Sequence, residues 1–256
     1  MRSAGARLGR LSGSIIYFPL IGSTNDVAAT LAIHSPDEGA VVLADAQTAG
    51  RGRRGREWFS PPGSGLYVSV VLRPGRSLSG SADRATRLLT LAAGVALVEA
   101  VETATGLAVD LKWPNDLYVG RHKLAGILAE GAGDANDAIV LGYGINVRAA
   151  AYPPELRDRA TSLESELGRS VDRARLFVES LASVARRYDD LLAERFDAIL
   201  DAWRARAPGS TGARVRWATA SGTASGVTAG IDDEGALLVV VGDRVERIVA
   251  GEVTWL

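Results

Sequence analysis

Residues 66–72 read Leu-Tyr-Val-Ser-Val-Val-Leu, and a long apolar segment follows at residues 82–105. In the first stretch apolar side chains recur at every second position, which predicts a strand. The second stretch predicts a long, mostly buried helix. A buried strand and a buried helix in succession indicate a fold in which helices cover a sheet.

Further elements are predicted on either side of these two. Upstream, strands at 14–18 and 41–44 flank a helix that opens at Ser23-Thr24-Asn25-Asp26, whose side chains can accept hydrogen bonds from the first helical turn. Residues 48–65 are dense in Gly, Arg and Pro and predict a long loop. Downstream we expect a tight turn at Gly120-Arg121, helical spacing over 172–207, and strands at 109–113, 117–119, 123–130 and 138–147.

The pattern changes at Pro208-Gly209-Ser210-Thr211-Gly212. Beyond it only short strand-like runs occur, at 214–218, 226–231, 236–241 and 245–249. A tail of this size is near the lower limit for independent folding, so we expect it to pack on the larger unit. The sequence therefore predicts two domains, 1–210 and 211–256, the first a helix-and-sheet sandwich and the second a small β-barrel.

The composition excludes several classes of function. With 29 basic and 30 acidic residues in a chain of 256, the formal charge is −1, which argues against a general nucleic-acid binder. The absence of cysteine excludes thiolate sites, and two histidines are too few for a histidine metal cage. Residues 1–14 lack the apolar core of a signal peptide, and the apolar run at 88–101 is too short to cross a bilayer. We expect a cytoplasmic protein with no membrane partner.

The densest charge in the chain lies at Gly50-Arg51-Gly52-Arg53-Arg54-Gly55-Arg56, which we call the Arg/Gly loop. Its arginines repel one another unless an anion lies among them, and glycine lets the backbone approach that anion. The guanidinium group suits phosphate and carboxylate, so the loop predicts a mobile segment that orders on a polyanionic ligand. A solvated basic loop is the alternative. Its place between two core strands, with Gln47 before it and Trp58 after it, favours the ligand.

A second cluster is Lys112-Trp113-Pro114-Asn115-Asp116, followed by the strand that begins at Lys123. An ammonium group is costly to bury without a partner, and at this place it can serve as a fixed positive charge beside a phosphoryl or carboxylate oxygen. Gly126 leaves room for a ligand against the strand. The alternative is an exposed, inert lysine beside an ordinary turn.

A third pattern places two glycines inside a strand, at Gly142-Tyr143-Gly144-Ile145-Asn146. Glycine weakens a strand unless something approaches its backbone closely, and Asn146 can both donate to and accept from a ribose or base. A β-bulge is the alternative. The helix start at Ser23-Thr24-Asn25 can cap its helix and also bind polar or anionic groups.

These four sites, in this order, resemble the motifs of the biotin protein ligases. In the tail, residues 230–232, 235–238 and 251–253 resemble the C-terminal domain of that family. The resemblance runs from about Ile15 to the end. It implies an α+β fold: a class II synthetase-like, biotin–lipoyl ligase catalytic domain with a mixed sheet flanked by helices, and a small C-terminal SH3-like β-barrel.

The resemblance implies a reaction in two steps. The biotin carboxylate attacks the α-phosphate of ATP, which gives biotinyl-5′-AMP and pyrophosphate. A lysine of the biotin carboxyl carrier protein then attacks the acyl carbon and releases AMP. Mg²⁺ would arrive on the triphosphate, so no protein residue is expected to bind a metal.

By the same resemblance, each motif takes a role. The catalytic residues would be Lys123, Arg53 and Asp116. Nucleotide binding falls to Asn115, Asp116, Gly142 and Asn146. Binding of biotin and biotinyl-AMP falls to Ser23, Thr24, Asn25, Gln47, Gly50, Arg51, Gly52, Arg53, Trp58, Lys123 and Gly126. Trp58 could equally anchor the loop to the core.

Two other functions stay open at this stage: a lipoate–protein ligase, and a non-catalytic sensor of biotin or its adenylate. The Arg/Gly loop and Lys112–Asp116 favour the biotin family, and Lys123 favours an enzyme. About 14 residues precede the first strand, too few for the winged helix of the repressor members, so we expect no DNA binding. Homodimers occur in the family.

Overall fold

The computed structural model describes residues 7–35, 37–78, 80–133, 137–150, 152–219, 222–251 and 253–256. Residues 1–6 of the N-terminal stretch and Glu252 of the tail motif at 251–253 therefore lie outside the described residues. The described chain forms two sheets and six α-helices.

The larger sheet has seven strands, in the order β1-β2-β3-β7-β6-β5-β4. Their bounds are β1 (Ile15–Phe18), β2 (Val41–Ala44), β3 (Gly65–Leu72), β4 (Asp110–Lys112), β5 (Asp116–Val119), β6 (His122–Gly131) and β7 (Ile139–Asn146). β1 and β2 are parallel, and every other pair is antiparallel. The predicted mixed sheet is confirmed, and the turn at Gly120-Arg121 joins β5 to β6 as expected.

The helices are α1 (Thr24–His34), α2 (Ala82–Thr105), α3 (Pro154–Arg157), α4 (Leu163–Leu167), α5 (Arg173–Leu192) and α6 (Phe196–Arg204). α2 has the predicted bounds and ends at Gly106, whose φ of +80° suits glycine at a helix C-terminus. The helical spacing over 172–207 is confirmed, and it corresponds to two helices, α5 and α6. The short α3 and α4 were not predicted, because four or five residues are too few for a helical pattern to repeat.

α2 is long and apolar enough to cross a bilayer, but 72% of its most apolar window is buried inside the protein. It packs with α5 on one face of the larger sheet, against Leu66, Val68 and Val70 of β3. α1 covers part of the opposite face, beside Val42 and Val71. β3 is therefore buried on both faces.

The second sheet follows the short 3₁₀ turn Pro208–Ser210. Its five antiparallel strands, in the order β11-β10-β9-β8-β12, are β8 (Thr211–Thr219), β9 (Gly222–Ile231), β10 (Leu237–Val241), β11 (Arg244–Ile248) and β12 (Val253–Trp255). The sequence predicted the first four of these strands, and the three-residue β12 was missed.

The turn between β9 and β10 holds the second sheet against the first unit. Glu234 accepts hydrogen bonds from Arg87 of α2, and Trp113 Nε1 donates to Gly235 O at 2.9 Å. Gly235 has a φ of +78°, and a Cβ there would lie 2.8 Å from a Leu91 methyl carbon. The second sheet thus contacts the residue that directly precedes the turn Pro114-Asn115-Asp116.

Candidate functional site

A cleft of about 600 Å³ opens on the face of the larger sheet that α2 and α5 leave uncovered. The Arg/Gly loop and β12 form its walls. Of the residues predicted to bind or react, only Gly50 does not line the cleft. Those that do are Ser23, Thr24, Asn25, Gln47, Arg51, Gly52, Arg53, Trp58, Asn115, Asp116, Lys123, Gly126, Gly142 and Asn146.

The floor of the cleft depends on three glycines that face it from adjacent strands. A Cβ on Gly142 would collide with the Asn25 side chain, and a Cβ on Gly144 would collide with the Trp58 indole. A Cβ on Gly126 would lie 2.9 Å from Trp58 Cζ3. β7 keeps an unbroken register with both neighbours, so the β-bulge alternative is wrong. The glycines are there because side chains lie directly on the backbone.

The start of α1 differs from the predicted capping. The side chain of Ser23, the residue that precedes the helix, makes no capping hydrogen bond. Instead, Gln47 Oε1 accepts from the Thr24 N–H at 2.8 Å. Ser23, Thr24 and Asn25 are all buried at the cleft wall. A side chain distant in sequence therefore accepts the hydrogen bond from a free backbone N–H of the first helical turn.

A chain of hydrogen bonds continues from Gln47 in two directions. Towards the loop, Gln47 Nε2 donates to Ser60 Oγ (2.9 Å), and that hydroxyl donates to Trp58 O (2.9 Å). Towards the sheet, Ser69 Oγ lies 2.8 Å from Thr24 Oγ1 and donates to Asn25 Oδ1 at 2.6 Å. The polar side chains that the sequence assigned to ligand binding therefore also hold one another in place.

Ser69 and Glu130 belong to this network but were not predicted. Ser69 is fully buried in the middle of β3, and Glu130 Oε2 accepts from Asn25 Nδ2 at 3.1 Å. A serine inside the apolar run 66–72 was a readable signal, since a buried hydroxyl needs a partner. Glu130 gave no such signal, because a carboxylate near a strand end is usually solvated.

Arginines of the Arg/Gly loop contact carboxylate and amide groups of the chain itself. Arg51 Nη2 lies 3.0 Å from Asp26 Oδ1 and 2.9 Å from Glu130 Oε2. Arg53 donates to Asn115 Oδ1 at 3.3 Å, and burial lowers the pKa of its guanidinium, which Asp116 partly offsets. Gly50 lies behind the wall: its carbonyl accepts from the Trp58 N–H at 2.8 Å, and a Cβ there would crowd Ser60 Oγ at 2.7 Å.

Lys123 projects into the cleft with a partner. Its Nζ lies 2.6 Å from Asp116 Oδ1 and 5.4 Å from the centre of the Trp58 ring. Its side chain is 30% exposed, so the alternative of a free, solvated lysine at a strand end is wrong. A cation held by one carboxylate beside open space can still meet an anion there.

The turn before Lys123 is fixed from the sheet. Asn115 Nδ2 donates to Ile127 O at 2.6 Å, and the Trp113–Pro114 peptide is cis. On the next strand Asn146 is buried, and its Nδ2 donates to Thr161 O at 2.9 Å. The amide groups expected on the nucleotide side are thus oriented by backbone carbonyls.

The second sheet completes the cleft through residues that sequence reasoning missed. Trp255 of β12 lines the cleft, and Lys112 Nζ lies 5.6 Å from its ring and 4.4 Å from the ring of Tyr118. A tryptophan beside the chain terminus was the available signal. Among the described residues no group of three His, Asp or Glu side chains could hold a metal ion.

Comparison with known proteins agrees with this geometry. The Biotin/lipoate A/B protein ligase family matches residues 17–146, and the Biotin protein ligase C terminal domain matches residues 211–254. The bifunctional ligase/repressor BirA of Bacillus spizizenii is 39% identical over 243 residues, which cover 93% of this chain and 73% of that protein. The biotin–[acetyl-CoA-carboxylase] ligase of Mycobacterium tuberculosis is 36% identical over 240 residues, or 92% of this chain and 86% of that one.

A solved structure gives the same result for the fold. The biotin protein ligase from Aquifex aeolicus in complex with biotin and ATP superposes with a TM-score of 0.81 at 28% identity. The match covers 95% of this chain and 99% of that one, so it includes both sheets.

Proposed function

The chain belongs to the Biotin/lipoate A/B protein ligase family, and from that premise we propose how its cleft acts as a biotin ligase. It is an enzyme that joins biotin to a protein at the expense of ATP. The observation that carries the proposal is the cation cluster of Lys123, Arg51 and Arg53 around a floor of three glycines.

The first step must bring two anions together, the biotin carboxylate and the ATP α-phosphate. Lys123 neutralises the charge between them, and the carboxylate oxygen then attacks phosphorus as the bond to the β-phosphate breaks. Asp116, whose Oδ1 lies 2.6 Å from Nζ, directs the Lys123 side chain into the cleft before the ligands arrive. Arg53 lies where it can stabilise the phosphates.

The uncharged part of biotin lies on the α1 side in this proposal. Ser23, Thr24, Asn25 and Gln47 supply donors and acceptors for its ureido group, in an arrangement that their mutual hydrogen bonds fix beforehand. Gly126 and the Trp58 indole form an apolar surface for the rings.

The nucleotide lies towards β5 and the end of β7, beside Asn115, Asp116 and Asn146. Gly142, also expected on the nucleotide side, lies directly under the Asn25 side chain, so we assign it to the biotin side. Mg²⁺ enters as part of the co-substrate, held by the triphosphate. In the second step the acceptor lysine must lose a proton to attack the acyl carbon, and Asp116 can orient that amine or take its proton. Closure of the Arg/Gly loop keeps water from the mixed anhydride.

The proposal also covers the acceptor protein, the cellular location and the domain division. The acceptor is a biotin carboxyl carrier protein domain, and the enzyme works in the cytoplasm without binding DNA. Residues 1–210 and 211–256 are separate domains that meet at the cleft. Light scattering with and without biotin measures whether the enzyme forms a homodimer.

Pyrophosphate release from ATP, with biotin or lipoate added separately and no carrier, tests the function. We expect release to require biotin and to leave biotinyl-AMP bound to the protein. Release with lipoate alone would assign the chain to the lipoate members of the family. Biotin binding without any release would leave a sensor.

A further inference from the structure

Glu130 lies where the larger sheet, the start of α1 and the Arg/Gly loop meet, although Glu130 does not itself line the cleft. It stands near the end of β6. Its Oε2 accepts from Asn25 Nδ2 at 3.1 Å and from Arg51 Nη2 at 2.9 Å. One oxygen atom therefore links the sheet, the start of α1 and the Arg/Gly loop.

The way Arg51 is held shows what the contact does. Both of its carboxylate partners, Glu130 and Asp26, contact the same nitrogen, Nη2. Its Nη1 and Nε make no hydrogen bond to the described residues. The carboxylates thus fix one corner of the guanidinium and leave the other donors for a ligand anion.

Glu130 also completes the network that fixes the loop at both ends. Beyond Trp58, the loop is tied through Ser60 to Gln47 and so to Thr24. Near the start of the loop, Arg51 is linked to Asn25 because both side chains donate to Glu130. The Asn25 and Thr24 side chains meet at Ser69, so one continuous chain of polar contacts joins both ends of the loop across the cleft floor.

We propose that Glu130 is a positioning residue for the ligation: it fixes Arg51, and through Arg51 the first half of the Arg/Gly loop, against the start of α1. The expected effect of Glu130 on biotin binding rests on the proposed function. The contact between Glu130 and Arg51 can be tested without any substrate. Because Arg51 is 43% exposed and Glu130 37%, each single effect is modest.

The first experiment measures the order of the loop in the ligand-free protein. Glu130→Gln keeps an oxygen that can accept from Asn25 but removes the charge that holds Arg51. We expect trypsin to cleave after Arg53, Arg54 or Arg56 about three to five times faster in this variant. Asp201→Asn, which removes a surface carboxylate paired with Arg204, is the matched control and should leave that rate unchanged.

The second experiment shows whether Glu130 acts through Arg51. We expect Glu130→Gln to raise the KM for biotin about three- to fivefold in pyrophosphate release, with less than about a twofold change in kcat. In an Arg51→Met background the same substitution should change neither the KM nor the cleavage rate further, because the partner is gone.

Equal cleavage of wild type and Glu130→Gln, or a full Glu130→Gln effect in the Arg51→Met background, would overturn the positioning role. Absence of biotin-dependent pyrophosphate release in the wild type would instead overturn the proposed function. In that case the cleavage rates would still decide whether Glu130 orders the loop.

Discussion

The two faces of the seven-stranded sheet share the same strands but are held in different ways. On the face towards α2 and α5, β3 and β7 present Leu66, Val68, Leu141 and Ile145, which pack into one apolar core. On the opposite face the same strands present Val71 and Val140 to α1, and in the cleft beside it they present glycines and hydrogen-bonded polar groups. We call the side towards α2 and α5 the helix face and the other side the cleft face. The helix face is held together by the packing of apolar side chains. The cleft face is held together by side chains that lie directly on glycines and by hydrogen bonds between residues distant in sequence. Damage to the first should therefore reduce stability, and damage to the second should reduce activity.

The largest difference between an effect on activity and an effect on stability is expected for Lys123→Ala. This change removes the cation that stabilises the two reacting anions, so adenylate formation should fall about 100-fold or more. The pair with Asp116 is largely buried, at 30% and 20% exposure, so loss of the lysine should lower the unfolding free energy by about 1–3 kcal/mol and leave the fold intact. Pyrophosphate release and urea unfolding measure the two quantities. His122→Ala, an exposed neighbour on β6, is the control, and a wild-type rate in Lys123→Ala would remove the lysine from the mechanism.

The converse is expected for Leu97→Ala on the helix face. Leu97 is fully buried in α2, and the cavity left by its side chain should lower the unfolding free energy by about 3 kcal/mol. The KM values of the remaining folded protein should not change. Leu97→Met, which nearly conserves volume, should cost less than about 1.5 kcal/mol. A raised KM for biotin in Leu97→Ala would mean that the two faces are not independent.

A smaller effect is expected for Gly144→Ala on the cleft face. The new methyl group would occupy the position of the Trp58 indole, which must then leave the floor. We expect the KM for biotin to rise about tenfold, in line with the effect of one methyl group in an apolar pocket. In Gly131→Ala, on β6, the methyl group meets open space and should not change the KM. Equal KM values in the two variants would show that Trp58 is not part of the biotin surface.

The helix face was the more predictable one because its signal is local. The alternation over 66–72 and the apolar segment 82–105 each lie within one element, and the structure has both where they were expected. The short elements α3, α4 and β12 were missed because three to five residues are too few for a periodic pattern to repeat.

On the cleft face, the sequence predicted many of the residues that line the cleft but not which of them contact one another. Every residue predicted to bind or react lines the cleft except Gly50, but other lining residues were missed, among them Tyr152, Arg159 and Trp255. The partner of Arg51 lies 79 residues further along the chain, at Glu130, and the partner of Thr24 lies 23 residues further, at Gln47. No local pattern encodes such pairs. Glycines in β7 could be interpreted as a bulge or as a sign of close approach, and the unbroken register of β7 together with the positions of Asn25 and Trp58 distinguishes these.

The smallest expected effect tests whether charge as well as volume holds the helix face. Glu99 of α2 pairs with Arg186 and Arg187 of α5; its burial would raise the pKa of its carboxyl, but the hydrogen bonds from both arginines hold that pKa below the usual value. A lowered pKa in the folded state means that the pair contributes stability above the unfolded-state pKa, about 4.3, and that this contribution is lost as the pH falls through the folded-state pKa. Glu99→Gln should therefore cost about 1–2 kcal/mol at pH 7, and its difference from wild type should shrink as the pH is lowered below about 4. Urea unfolding at both pH values measures it, with Asp201→Asn as an exposed control. A difference that is the same at both pH values would mean that Glu99 stabilises the helix pair by packing, and that volume alone holds this face of the sheet.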